Sequence, residues 1–140
     1  MCIRDRSKAV DTEMIAYGRL PLMITENCLG QNETGCRLDR QGPCVPEDGP
    51  CRCGQPNVLV DRTGAAFPLL PAYGHRTEIQ NSKPLYLADR PEHRRLGLAY
   101  ARLRFTTETA EECVSVVQNY LDAAPAAGDF TRGLYERGVE

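Results

Sequence analysis

A membrane-spanning helix needs about 20 consecutive apolar residues. This chain has no such run, so it reads as soluble with no membrane partner. A secretory h-region is also missing, which removes the export route a disulfide scaffold would need. No sign of charge dominates: the formal net charge is -2, leaving no global electrostatic case for nucleic acid or membrane. No glycine-rich phosphate cradle is present, and Ser7, Ser82 and Ser115 lie in no nucleophile-elbow pattern. Internal repeats and low-complexity tracts are absent. What remains is 140 residues, enough for one domain with a core.

The sequence is organised around residues 25–62, TENCLGQNETGCRLDRQGPCVPEDGPCRCGQPNVLVDR. Five of the seven cysteines fall there, at Cys28, Cys36, Cys44, Cys51 and Cys53. Gly, Pro, Asn and Asp fill the intervals and oppose regular structure. A loop this long inside a domain is functional or disordered, and disorder does not require five thiols. Thiolates on a folded-back loop are soft ligands for zinc or for an iron–sulfur cluster. The spacings are x7, x7, x6 and x1, with no C-x2-C, which weakens a zinc ribbon. Clusters accept wider spacings where the fold brings the sulfurs together. At least one of the five is surplus, and Cys51 and Cys53 are too close to serve one metal comfortably. With no export signal, metal or redox use in the cytosol is the expectation. Free or adventitiously paired thiols are the plainer alternative.

Taken in order, residues 1–6 (MCIRDR) resemble the translation of a sequencing-library adaptor end and are set aside. On that reading the native sequence begins near Ser7, and residues 7–140 are the C-terminal piece of something longer. Residues 12–25 carry two apolar runs around Gly18 and Pro21, which predicts a buried strand, a kink and a second extended piece. Residues 57–70 predict a β-hairpin turning at Asp61-Arg62-Thr63-Gly64, with Pro68 making its second strand an edge or ending its pairing. A strand follows over 77–80. Pro84 starts a helix carrying Leu85, Leu87 and Ala88, and a second short helix runs from Pro91 to Gly97. Residues 98–105 read as a strand. The best helix begins at the capping box Thr109–Glu112 and carries an apolar stripe of Cys113, Val116, Val117, Tyr120 and Leu121. Residues 129–140 are a polar tail that docks loosely, if at all. The closing helix–strand–helix order suggests a parallel α/β fold, with too few strands to close a barrel.

Other candidates have plainer readings. His75 either completes a Cys3His site or is an exposed turn residue. His93 lies among Glu92, Arg94 and Arg95 on a solvated face. Arg90, Arg94, Arg95, Arg102 and Arg104 either touch phosphate or form a surface salt-bridged with Asp89 and Glu92. Cys113 reads as a small buried hydrophobe. Glu26, Asp61 and Glu78 are carboxylates that no spacing singles out.

Four segments then carry a family resemblance: YGRLPLMITENC (17–28), LVDRTGAAFPL (59–69), YGHRTEIQNSKPLYLADR (73–90) and RLRFTTETAEE (102–112). Together they resemble the C-terminal region of the long bacterial collagenase-like peptidases, the U-thirty-two family. The resemblance implies a cytoplasmic bacterial protein. It implies a TIM-barrel-like α/β domain, of which this chain is the last portion, with the cysteine-rich loop and hairpin inserted. The missing N-terminal part would be its partner. Some relatives are tied instead to oxygen-independent hydroxylation of RNA or of a quinone precursor, using a four-iron cluster on four cysteines. Cys28 and Cys36 match the family's cysteine positions, and Cys53 matches a third. The fourth, after Tyr73-Gly74, is His75 here, and residues 38–50 with Cys44 are a local expansion. Cys51 or Cys44 then stand as substitute ligands.

Three functions follow: a hydrolase acting on protein, a cluster-dependent enzyme modifying rRNA or tRNA, or a domain that uses metal only as a staple. The fragment alone, without its partner portion, is expected to be inactive, with either a bound cofactor or none. The strands over 14–24 and 98–105 are expected to expose more apolar surface than a monomer normally carries.

Overall fold

The computed structural model describes residues 10–30, 57–72, 76–90 and 96–133. It is a mixed α/β structure with β1 (Glu13–Gly18), β2 (Pro21–Thr25), β3 (Asn57–Val60), β4 (Ala66–Ala72), β5 (Arg76–Gln80), β6 (Leu85–Tyr86), β7 (Tyr100–Leu103) and helix α1 (Ala110–Leu121). Among the described residues there are two sheets, ordered β6-β1-β7 and β2-β5-β4-β3, and neither closes into a barrel. Each sheet belongs to its own compact unit: the second is Leu20–Ser82, and the first takes the chain on either side of it. The MCIRDR segment lies outside the described residues.

In the first unit, β1 pairs parallel with β7 and antiparallel with β6. Ala16 and Tyr17 of β1 are buried. The strand stops at Gly18, whose φ is +119°, and a Cβ there would run into the carbonyl of Arg104. That close approach lets the Arg104 N–H donate to the Tyr17 carbonyl at 2.9 Å, holding the two strand ends together. Tyr17 and Tyr86 pack edge to face at 6.4 Å, and Tyr120 lies 5.5 Å from Tyr86. Phe105, Val116 and Phe130 fill in around them. Burying a tyrosine requires a partner for its hydroxyl, and each has one. Tyr17 donates to Glu108 Oε1 at 3.2 Å and Tyr86 to the Ala124 carbonyl at 2.9 Å. Tyr120 donates to the Ala16 carbonyl and accepts from the Leu87 N–H.

The second unit is wholly antiparallel. Its β3–β4 hairpin turns on Asp61, whose Oδ1 accepts from the N–H groups of Thr63 (2.7 Å) and Ala65 (3.0 Å). Gly64 takes a φ of +84° there with open space around it. This is the turn the sequence predicts. At the root of the unit, the Asn81 N–H donates to the Leu20 carbonyl at 2.8 Å.

Several expectations need correction. Residues 12–25 do kink at Gly18, but the two halves enter different sheets and only the first is buried. Leu22, Met23 and Ile24 of β2 are all exposed, Leu22 at 56%. Pro68 does not put its strand at an edge: β4 is internal. The β3 ladder ends and the β5 ladder begins at Leu69, so a proline on either side of it needs a ladder partner on one side only. Residues 85–86 are strand rather than helix. Leu85, Tyr86, Leu87 and Ala88 are four consecutive buried residues, a pattern no amphipathic helix gives. The short helix from Pro91 falls mostly outside the described residues.

On α1 both halves of the capping box form. Its inward stripe is Cys113, Val116 and Tyr120, while Val117 and Leu121 face out. Cys113 is half-buried rather than buried. The tail is anchored as far as Arg132. Thr131 bridges Leu85, and Arg132 clamps Asp89 bidentately at 2.6 and 2.7 Å while stacking over Phe130. Asp89 is paired with Arg132 and Arg102 with Glu13, while Glu92, Arg94 and Arg95 of the expected surface network lie outside the described residues. Among the described residues no helix is long and apolar enough to cross a membrane.

Two measurements test this packing. Gly18→Ala adds a left-handed strain and a backbone collision, so urea unfolding is expected to show a loss of roughly 2–4 kcal/mol. Gly64→Ala, strained but unobstructed, is expected to lose only about 1 kcal/mol. Burial raises Tyr17 above the ordinary tyrosine value and pushes Tyr120 up to about 12. Groups raised in the folded state stabilise fully below their unfolded value. Stability is thus expected to fall from pH about 10 upward through 12. Tyr120→Phe should reduce that alkaline loss in a pH series of thermal melts.

Candidate functional site

The β2-β5-β4-β3 sheet has one end where chain segments gather. Register sets Thr25 beside Thr77, Ala72 beside Arg76, and Asn57 beside Leu69. The exit of β2, the β4–β5 connection and the entry of β3 therefore open at the same end. Cys28 sits there, half-buried with a free thiol. Its placement is fixed by its neighbours. The Thr25 hydroxyl donates to the Asn27 carbonyl at 2.6 Å, and the Leu29 N–H donates to Thr77 Oγ1 at 2.9 Å. Thr77 is 4% exposed, so this acceptor is held by packing. Arg76 grips Glu26 from the same end, with Nε at 3.2 Å from Oε2 and a terminal nitrogen at 3.1 Å from Oε1. Both side chains are largely in water, so the fork orients the strand ends and adds less than about 1 kcal/mol.

Of the ligands the sequence suggests, only Cys28 is described. Cys36, Cys44, Cys51, Cys53 and His75 lie outside the described residues, as does His93. Among the described residues no group of three or more His, Cys, Asp and Glu is placed to hold a metal ion. A half-buried thiol on a pinned turn is suited to serve as one soft ligand. The three carboxylates weighed as catalytic are otherwise engaged. Glu26 pairs with Arg76, Asp61 builds its turn, and Glu78 accepts from Gln80 Nε2 at 2.6 Å. Thr77 and Arg76, which pin the site, carried no sequence signal, because they look like any strand residues.

A second cluster lies at the carboxyl ends of the parallel strands β1 and β7, where α/β folds build sites. Arg19 Nε donates to Thr107 Oγ1 at 3.3 Å, and an Arg104 nitrogen donates to the Arg19 carbonyl at 3.0 Å. Glu108 receives Tyr17 on one oxygen and the N–H groups of Thr106 (2.7 Å) and Thr107 (3.0 Å) on the other. Burial pushes the Glu108 carboxyl up, but the amides of Thr106, Glu108 and Thr107 and the Tyr17 hydroxyl together hold it below its ordinary value. These hydrogen bonds tie the cluster together as a buckle that turns β7 into α1.

Compared with protein-family models, curated proteins and solved structures, the chain gives no match.

Removing the Thr77 hydroxyl tests how Cys28 is held. Thr77→Val leaves the Leu29 N–H without its acceptor. The expected result is a loss of about 1–2 kcal/mol, with faster hydrogen exchange at Leu29 and faster thiol labelling at Cys28.

Proposed function

We propose that this chain is the C-terminal region of a protein of the collagenase-like peptidase family, and that its cysteine loop holds a metal centre. The centre is a four-iron cluster, with zinc as the alternative, bound by Cys28, Cys36 and Cys53. His75, Cys51 or Cys44 completes the set. What supports this reading is the common sheet end at which Cys28 is anchored and from which the loop's two flanks depart. β2 and β3 are three positions apart in the sheet, about 14 Å at ordinary strand spacing. Cys53 precedes Asn57 by four residues, and four extended residues reach about 13–14 Å. His75 is the chain neighbour of Arg76, which already grips Glu26 beside the Cys28 turn. The reach from Asn57 back to Cys53 matches the width of the sheet at Met23, the β2 residue level with Asn57.

Two activities are compatible with the family. Proteolysis rests on the resemblance alone. Cluster-dependent hydroxylation of rRNA or tRNA is favoured by the thiol placement, because a cluster supplies redox chemistry that peptide hydrolysis does not use. A metal that only staples the loop is the third reading. On the family reading the β6-β1-β7 sheet with α1 is the last portion of a TIM-barrel-like domain in a cytoplasmic bacterial protein. The N-terminal part of that protein is then the partner, and the substrate is protein or RNA.

The test is iron, acid-labile sulfide and zinc content of the 140-residue chain purified without oxygen. Bound iron with matching sulfide, lost in Cys28→Ser, is the expected outcome. A full-length relative with the matching cysteines that holds no metal under these conditions, or a Cys28→Ser variant of this chain that retains all of its metal, overturns the centre. In a full-length relative carrying the matching cysteine, the same substitution is expected to abolish cluster and RNA modification together. Activity surviving loss of the cluster would reduce the metal to a staple.

A further inference from the structure

Helix α1 covers the first unit with one apolar stripe and leaves a second apolar ridge exposed along that stripe's flank. Val116 and Tyr120 pack against the Tyr17–Tyr86 cluster. About a quarter-turn round the helix from them, Val114, Val117 and Leu121 are exposed at 71%, 41% and 72%. They recur at i, i+3 and i+7, so the apolar face of the helix is wider than the part the first unit covers. Carboxylates stand at the two ends of the ridge, on its outward polar flank: Glu111 one turn before Val114, and Asp122 directly after Leu121. Eleven residues at 1.5 Å each place them about 16 Å apart along the axis. No lysine or arginine occurs anywhere in Ala110–Leu121. Asp122 moreover caps the carboxyl end of the helix, where the backbone already presents partial negative charge and the last turn holds no basic residue. The Gln118 amide, at 2.9 Å, is the hydrogen-bond donor to its carboxylate.

We propose that this outward face of α1 is a docking surface for a basic amphipathic helix, one with an apolar stripe at i, i+3 and i+7 bracketed by Lys or Arg. Charge complementarity selects the occupant. A straight three-residue ridge seats another helix. The flanking carboxylates repel nucleic-acid phosphates and anionic lipid. A second copy of α1 is disfavoured, because packing two such faces sets carboxylates against one another with no cation between them. The surface belongs to the first unit alone and is independent of the metal centre.

The probe is a fluorescent, helix-stapled peptide of about 14 residues with Leu at i, i+3 and i+7 and Lys at both ends. A twin carries Glu in place of Lys. Anisotropy titration against the full chain is expected to show binding of the Lys peptide that weakens with salt, and at least roughly tenfold weaker binding of the Glu twin. Val117→Glu and Leu121→Glu, both at exposed positions, should each weaken the Lys peptide by roughly tenfold or more while circular dichroism and melting stay unchanged. The double variant Glu111→Lys/Asp122→Lys should reverse the preference between the twins. Equal binding of both peptides, no binding of either, or indifference to Val117→Glu overturns the proposal. A concentration-dependent dimer that Val117→Glu dissolves also overturns it and assigns the face to a second copy.

Discussion

The junction at Tyr17 and Gly18 is the constraint from which the first unit is built. Gly18 has no side chain because the Arg104 backbone occupies the space one would need. That vacancy lets Arg104 hydrogen-bond Tyr17 and draws the end of β7 against the end of β1. The Tyr17 ring then lies within 6.4 Å of Tyr86, Phe105 and Tyr120. Its hydroxyl fixes Glu108, whose other oxygen collects the N–H groups of the turn leading into α1. One close backbone contact thus carries through to strand pairing, aromatic packing and the starting point of the helix. The same tyrosines make the unit sensitive to alkali, since their neutral hydroxyls are integral to the packing.

The second unit follows a different logic. Its strands are short, and both edge strands are apolar: Leu22, Met23 and Ile24 on β2, and Val58, Leu59 and Val60 on β3 are all exposed. Precision comes from hydrogen bonds at the strand ends. Thr77 to Leu29, Asp61 to its turn amides and Asn81 to Leu20 each tie a point where the chain changes direction. The effect is that the chain leaves β2 and enters β3 from the same direction along the sheet.

How much of this was legible in the sequence depended on how local each signal was. The Asp61–Gly64 turn and the Thr109–Glu112 capping box were readable because their chemistry is contained within five residues. The stop at Gly18 was readable as a kink, but its cause was not, since the obstructing carbonyl belongs to Arg104. Leu85 and Tyr86 were misread because a proline before apolar residues suits a helix start. Pairing with β1 on one side and Thr131 on the other decides the matter. The α1 stripe was drawn as five residues when only three of those positions face inward. The sequence marks one broad apolar face on the helix and does not say which part of it meets the aromatic cluster. For the site, the concentration of cysteines was plain, whereas the residues that pin Cys28 were invisible, because a threonine in a strand carries no mark of what its hydroxyl accepts.

The near-neutral composition conceals where attraction is left on the surface. Four ion pairs join described residues: Arg76 with Glu26, Arg102 with Glu13, Lys83 with Asp129, and Arg132 with Asp89. All but the last are substantially exposed and add little stability. The half-buried Arg132–Asp89 clamp differs. Its two parallel hydrogen bonds hold the Asp89 carboxyl below its ordinary value, and it fastens the segment after α1 to β6. Beside these pairs the first unit exposes large apolar side chains, Tyr100 at the start of β7 and Val114, Val117 and Leu121 of α1. The expected excess of apolar surface therefore falls on β2 and on Tyr100 and spares the end of β1, where Ala16 and Tyr17 are covered. Among the described residues of the first unit, burial is concentrated around one aromatic cluster. Apolar residues beyond its reach stay at strand ends and along the flank of the helix, positions where contiguous hydrophobic surface marks contact with another element.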